Sequence, residues 1–231
     1  MREVPASGNE ADVCGDRGYL APVTWSTPAE AIALACELVG MAGPGNITAN
    51  PHLSRDWVRR AVTCGRVVSA VTALIGPDIA VENTFLVIKR PGDQFTVPAH
   101  QDGINDRIQL DPARSVAVWL AVSEATAASG CLEIAVGSHR GGYLPYRRAE
   151  AAAGDDRRPL TLAKGTSGSF TPVPLATGQA CVLDVRLVHR SGPNTGSAPR
   201  IGLNIRYVAP GGWTLRAGPG PHLLPVVGDR W

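Results

Sequence analysis

At 231 residues the chain is long enough to bury a sizeable core within one domain. Its 44% hydrophobic residues and formal net charge of +2 are those of an ordinary globular chain, without the basic surplus that would draw it to nucleic acid or to an acidic membrane. No run of about 18 apolar residues occurs, which excludes a membrane-spanning helix, and Met1-Arg2-Glu3-Val4-Pro5 lacks the apolar core of a signal peptide.

Residues 1–17 are polar and Gly-containing and read as a loose arm. Thr27, Pro28 and Glu30 form a helix start, with Thr27 as cap, Pro28 at the first helical position and Glu30 reaching back. Ile32, Ala35, Leu38 and Val39 continue it at helical spacing until Gly40 and Ala42-Gly43-Pro44-Gly45. A second helix is predicted from a Ser54 cap, with Trp57, Ala61, Cys64, Val68, Val71 and Ile75 along one face and Gly76-Pro77 closing it. From residue 80 the character changes. Residues 80–89, 115–122, 131–136, 179–188 and 200–208 read as strands, divided by turns such as Pro91-Gly92, Asp111-Pro112 and Ser129-Gly130. Many short strands after a helical start predict a mainly β sandwich or barrel with flanking helices. Residues 141–174 are rich in Gly, Pro and charge and read as a lid loop, and residues 210–231 as a Gly/Pro-rich tail. The five cysteines include no CxxC pair. Cys36, Cys64, Cys131 and Cys181 lie in apolar stretches, as expected of free thiols in a cytoplasmic protein.

Chemistry concentrates at Pro98-Ala99-His100-Gln101-Asp102-Gly103. On a strand, residues two apart share a face, so His100 and Asp102 would present an imidazole and a carboxylate side by side. A second His would complete a 2-His-1-carboxylate set with positions left open for a chelating co-substrate and dioxygen. Of the five histidines, His189 follows an apolar strand and precedes a tight turn, whereas His52 and His222 lie in a loop and the tail, and His139 suits a structural turn. A His-x-Asp pair alone has little specificity, and a zinc hydrolase site or simple satisfied polar residues stay open on it. Arg200, eleven residues past His189, adds a guanidinium fork able to hold a carboxylate.

With these pieces in order, the chain resembles the phytanoyl-CoA dioxygenase-like family of iron(II) and 2-oxoglutarate dependent oxygenases. The resemblance runs from about Gly18 to Pro210. It is carried by His100-Gln101-Asp102-Gly103, Val116-Ala117-Val118-Trp119-Leu120-Ala121, Ser129-Gly130-Cys131-Leu132-Glu133, Val136-Gly137-Ser138-His139-Arg140 and Leu187-Val188-His189-Arg190-Ser191-Gly192-Pro193-Asn194, followed by Arg200. It implies a double-stranded β-helix, a cupin-like jelly roll, with iron held by His100, Asp102 and His189. It implies that Arg200 and Ser191 bind the distal carboxylate of 2-oxoglutarate, that Asn83 touches the same co-substrate, and that Trp119 lines its pocket or packs as core. In one subgroup a small residue replaces the carboxylate ligand and the enzymes chlorinate. Asp102 at that position implies hydroxylation, with desaturation, epoxidation and cyclisation as related outcomes and dioxygen as the oxidant.

Strand alternation puts Arg200, Gly202, Asn204 and Arg206 on one face. An inward Arg206 needs an anion, either a group on the substrate or a protein acid such as Glu133. Asn204, Arg206 and Glu133 are therefore the candidate substrate residues. The expected substrate is a small molecule, possibly anionic or carrier-bound: an amino acid or an intermediate of specialised-metabolite or antibiotic biosynthesis. No nucleic-acid or membrane partner is expected, and the protein is read as a monomer or homodimer. A non-catalytic jelly-roll ligand-binding protein is the reading from another class.

Overall fold

The computed structural model describes residues 15–39, 46–148, 160–163 and 168–231. In chain order its elements are β1 (Tyr19–Thr24), α1 (Pro28–Val39), β2 (Ile47–Ala49), α2 (Asp56–Val62), α3 (Gly65–Ile75), β3 (Ile79–Lys89), β4 (Val97–His100), β5 (Ile108–Leu110), β6 (Ser115–Ala121), β7 (Leu132–Ile134), β8 (Tyr146–Arg148), β9 (Leu160–Leu162), β10 (Thr171–Val173), β11 (Gln179–Asp184), β12 (His189–Ser191), β13 (Arg200–Val208), β14 (Trp213–Leu215) and β15 (Leu224–Val227).

The helix start at Thr27 forms as its residue types dictate. The Glu30 carboxylate accepts the Thr27 backbone N–H at 2.9 Å, and Thr27 Oγ1 accepts the Glu30 N–H at 3.3 Å. That reciprocal box stabilises the helix by about 1 kcal/mol. The predicted second helix is two helices. Cys64 leaves helical geometry at φ −59° and ψ 122°, and its thiol donates to Trp25 O at 3.1 Å. Arg55, not Ser54, precedes the first of them. The apolar face nevertheless runs across the break, with Val58, Val62 and Val71 fully buried.

The strands form two main antiparallel sheets. One has the order β1-β11-β6-β13-β3-β15, with β2 also on β3; the other is β10-β7-β12-β4. The larger sheet is covered on both faces, which explains why β6 reads as a continuous apolar run. Val116, Val118 and Leu120 of β6 join Ile201, Leu203 and Ile205 of β13 in the core beneath the helices. Ala117, Trp119 and Ala121 face the other way, in a core shared with Leu132, Ile134 and Val173 of the smaller sheet. Truncating Leu120 or Leu203 to Ala would cost about 2–5 kcal/mol. Two facing antiparallel sheets with helices on one outer face are the jelly roll that the sequence predicts.

Four expectations need correction. Within 141–174 the described residues include the β8–β9 hairpin and β10, which pairs β7, so the segment is not a loop throughout; residues 149–159 and 164–167 lie outside the described residues. Strands of three residues carry too little periodicity to show against a Gly- and Pro-rich background. The tail likewise contributes β14 to β5 and β15 to the large sheet. Of the arm, residues 1–14 lie outside the described residues, while residues 15–17 are tied down: Gly15 O accepts from His139 Nε2 at 3.0 Å, and Asp16 O from Arg140 at 2.7 Å. Cys36 is exposed rather than packed. No helix among the described residues is long and apolar enough to cross a membrane.

Candidate metal centre

β4 and β12 are neighbouring antiparallel strands, and their register sets His100 directly opposite His189, with ring centroids 4.3 Å apart. Asp102 completes the cluster, its Oδ1 3.6 Å from His100 Nε2 and its Oδ2 3.7 Å from His189 Nε2. Simple strand alternation is not what pairs His100 with Asp102, because β4 ends at His100 and a turn delivers Asp102. Gly103 permits that turn: a Cβ there would overlap the Tyr143 hydroxyl and lie 2.9 Å from Val185 Cβ. His189 likewise opens β12 rather than ending β11, which stops where Asp184 accepts the Arg186 N–H at 2.8 Å.

Each imidazole is held in one tautomer. His100 Nδ1 lies 2.9 Å from Pro98 O and His189 Nδ1 2.9 Å from Leu187 O. A carbonyl only accepts, so each Nδ1 carries a proton, and Nε2 is the atom each ring turns toward Asp102 and could offer to a metal. Burial, reinforced by His100, lowers the His189 pKa to about 4 and keeps that ring neutral. Burial alone would raise the Asp102 pKa. The Arg206 guanidinium, then His189 and His100, outweigh it and hold the carboxyl well below the usual range. Arg206 donates to Asp102 Oδ1 at 2.8 Å, and Asn204 Nδ2 donates to Oδ2 at 2.9 Å. The partner of Arg206 is therefore Asp102, with Glu82 at 4.0 Å, and not Glu133. Glu133 instead accepts from Arg190 at 2.6 Å, because β7 places it opposite Arg190.

The three possible ligand atoms all lie within 4.8 Å of one another, close enough for one ion to reach all three. The donor set fits a divalent metal, and two neutral imidazoles with one carboxylate suit iron(II) with coordination positions to spare.

The cluster faces a cavity of about 620 Å³ whose walls include Asn83, Trp119, Ser191, Arg200, Asn204 and Arg206. Arg200 is 2% exposed. It donates to Gly130 O at 2.8 Å and to Ser191 Oγ at 3.3 Å, and its guanidinium lies 5.3 Å from the centre of the Trp119 ring. Trp119 in turn lies flat on Gly202, where any Cβ would overlap the indole. Asn83 stands directly across from Arg206, at the opposite end of β13 from Arg200.

A profile of the phytanoyl-CoA dioxygenase (PhyH) family matches residues 41–202. The chain belongs to the phytanoyl-CoA dioxygenase family. It is 29% identical over 130 residues to phytanoyl-CoA dioxygenase 1 of Oryza sativa subsp. japonica, an alignment covering 56% of this chain and 44% of that protein. The chain thus spans about half the length of the curated relatives it matches. Among solved structures, the non-heme monooxygenase ThoJ superposes with a TM-score of 0.79 at 27% identity, covering 95% of this chain and 84% of the other. The epimerase SnoN, solved with Fe3+, alpha ketoglutarate and nogalamycin RO, gives a TM-score of 0.71 at 21% identity and 95% coverage of both chains, a likeness of fold.

Against this family frame, two residues of the site escaped the sequence. Lys89 is fully buried; its ammonium donates to Ser191 Oγ at 2.8 Å and to Ser191 O at 3.2 Å, with Gly192 O as a further acceptor. Its signal was present, since it closes the apolar run Phe85-Leu86-Val87-Ile88 in a chain with only one other lysine, Lys164. Glu82 faces the site because of a bulge. Asn83 pairs Arg206 and Val81 pairs Tyr207, so Glu82 has no partner on β13 and turns inward beside Asn83.

Proposed function

We propose that this protein is an iron(II)- and 2-oxoglutarate-dependent dioxygenase that hydroxylates an unactivated C–H bond of a small molecule, an amino acid or an intermediate of specialised-metabolite biosynthesis. One juxtaposition carries the reading: a single cavity joins a three-ligand cluster to Ser191 and the buried Arg200, and the buried Lys89 donates to the same Ser191. A hydrolase or a binding barrel has use for the first, but not for the second beside it. The ThoJ likeness and the family membership support the same reading.

In this reading His100 Nε2, His189 Nε2 and Asp102 hold the iron. The bound iron supplies the redox chemistry that couples oxidative decarboxylation of the 2-oxo acid to attack of dioxygen on a C–H bond. The protein's own contribution is placement and field. Arg200, Lys89 and Ser191 would take the distal carboxylate, which would orient the 2-oxo acid with its keto-acid end toward the metal ligands. Trp119 stacks against Arg200 and keeps water from it. Arg206 and Asn204 fill both oxygens of Asp102 from behind, which keeps it ionised and aimed. No side chain is asked to move a proton.

The test is anaerobic addition of Fe(II) and 2-oxoglutarate, read as the visible absorption of the iron chelate, followed by oxygen-dependent succinate release across a metabolite panel. The expected result is a band in the wild type that His189→Ala abolishes, and a product carrying one added oxygen atom. No band in the wild type overturns the reading. A band with a product that has lost two hydrogens instead moves it to desaturation or cyclisation.

A further inference from the structure

A second cavity, of about 410 Å³, adjoins the first and shares Asn83 and Asn105 with it. Its walls differ in chemistry. Where the metal cavity is lined by Phe85, Val87, Phe95 and Leu132, this one is lined by Glu82, Asn83, His52, Asn105, Arg107 and His222 among others.

Along its seam with the metal cavity lie buried polar atoms that make no hydrogen bond within the protein. They are Glu82 Oε2, Asn83 Oδ1, Asn204 Oδ1, His52 Nε2 and Arg206 Nε. The Glu82 side chain is 8% exposed, and the nearest cation, Arg206, stands 4.0 Å from its Oε2, beyond hydrogen-bond reach. Asn204 is fixed in orientation by the bond from its Nδ2 to Asp102, so its outward atom is the carbonyl oxygen. His52 is held at Nδ1, 2.8 Å from Thr84 Oγ1, which leaves Nε2 for the cavity. Buried polar atoms are costly unless paired, and a group of them on one wall marks where a ligand pairs them. Three of the five accept only, and Arg206 Nε only donates. The matching group therefore both donates and accepts. A hydroxyl does both and an ammonium only donates, so hydroxyls suit these atoms better, with Asp106 and Arg107 both on the wall of the second cavity. The bulge on β3 is what creates this wall, since regular pairing would have turned Glu82 to the opposite face.

We propose that the 410 Å³ cavity is a substrate subsite for a hydroxyl-bearing ring, a sugar or polyol unit, with Glu82 as its principal acceptor, Asn83 and His52 beside it, and Asn204 on the metal-cavity side of the shared Asn83. The substrate's oxidised carbon then lies toward the metal cavity, so the assignment rests on the oxygenase reading for its direction but not for its binding chemistry.

The experiment is saturation-transfer NMR on the full chain loaded with Zn(II) and 2-oxoglutarate, with methyl β-D-glucopyranoside, methoxycyclohexane and cyclohexylammonium as probes. Transfer to the glucoside is expected to exceed that to either other ring by about tenfold, as for a site built to bond hydroxyls. Glu82→Leu and Asn83→Leu should each bring it to background, and Glu82→Gln, which keeps an acceptor without the charge, should retain most of it. Thermal unfolding of each variant shows whether it is folded; if Glu82→Leu is not, Asn83→Leu decides. Equal transfer to glucoside and methoxycyclohexane, preference for the ammonium, no transfer at all, or transfer unchanged in the folded Leu variants overturns the assignment. The anaerobic iron(II) and 2-oxoglutarate band, read on the same preparations, keeps the two readings apart. A band without glucoside transfer sinks the subsite alone, and transfer without a band sinks the oxygenase alone.

Discussion

Lys89 on β3 and Arg200 on β13 are cross-strand partners, both buried, and both donate to the hydroxyl of Ser191. Like charges directly opposite on a sheet are destabilising, and among the described residues no carboxylate lies within 4 Å of either cation. In the oxygenase reading this pair is the anion site, and its electrostatic cost is recovered when a carboxylate binds.

That arrangement gives a pH prediction. Burial first, then Arg200, lowers the Lys89 pKa to about 7, against weaker upward pulls from Asp93, Glu133 and Cys131. Below that value Lys89 is already charged and meets a carboxylate directly. Above it the free protein's Lys89 is neutral and must take up a proton to pair. Affinity for 2-oxoglutarate should thus fall as pH rises through 7. Calorimetric titration of Zn(II)-loaded protein at acidic and alkaline ends of that window checks it. Lys89→Met should weaken binding by about tenfold or more and remove the dependence. A slope shared by wild type and variant would count against Lys89.

Arg206 donates to Asp102 and also lines the metal cavity. Arg206→Met should lower metal affinity by about 10- to 100-fold, the usual effect of losing the group that orients a ligand. It should also destabilise the fold by about 3–5 kcal/mol, because Asp102 and Glu82 stay buried without their counter-charge. Chelator competition and urea denaturation measure the two effects. Unchanged metal affinity would show that Asp102 needs no support from Arg206.

Gly202 is the contact point between β13 and the Trp119 indole. Gly202→Ala forces the ring off its seat and should cost about 1–3 kcal/mol as overpacking. It should also weaken 2-oxoglutarate binding, since the displaced ring is the one stacked on Arg200. Adding Trp119→Phe, a smaller ring, should recover stability without recovering affinity. Full recovery of both would mean that Trp119 packs the core and does nothing for the pocket.

Much of this was legible in the residues, and what was not has physical reasons. The inward set Arg200, Gly202, Asn204 and Arg206 follows from period two on a nine-residue strand. His100 stands out by its spacing to Asp102, and His189 by its place between an apolar strand and a tight turn. Glu82 does not, since a bulge breaks the alternation that would have pointed to it. Period two shows that Arg206 needs an anion, whether on a substrate or on an acid such as Glu133, but not that Asp102, from a turn far earlier in the chain, is the acid it meets. The break between α2 and α3 was hidden because the apolar spacing carries straight through it. Lys89 is legible in principle, because a lysine ending an apolar strand is costly to bury without a reason.

Gly103 tests whether the turn after β4 sets the metal site. Its hydrogen occupies the space between the Tyr143 hydroxyl and Val185, and Gly103 N–H donates to Val185 O at 2.8 Å, so the backbone beside Asp102 is pinned on both sides. Gly103→Ala must push either Tyr143 away or Asp102 out of line. Tyr143 resists, because its hydroxyl donates to Leu110 O at 2.7 Å. Metal affinity should therefore drop by about tenfold. Tyr143→Phe alone should cost about 1–2 kcal/mol of stability, the loss of a donor to a buried carbonyl, and leave the metal site in place. Combined, the two changes should interact: with the hydroxyl gone the new methyl has room, and part of the metal affinity returns. Chelator competition on the four proteins of this cycle measures the coupling. Strict additivity, or wild-type affinity in Gly103→Ala, would mean that Asp102 is placed by Arg206 and Asn204 alone.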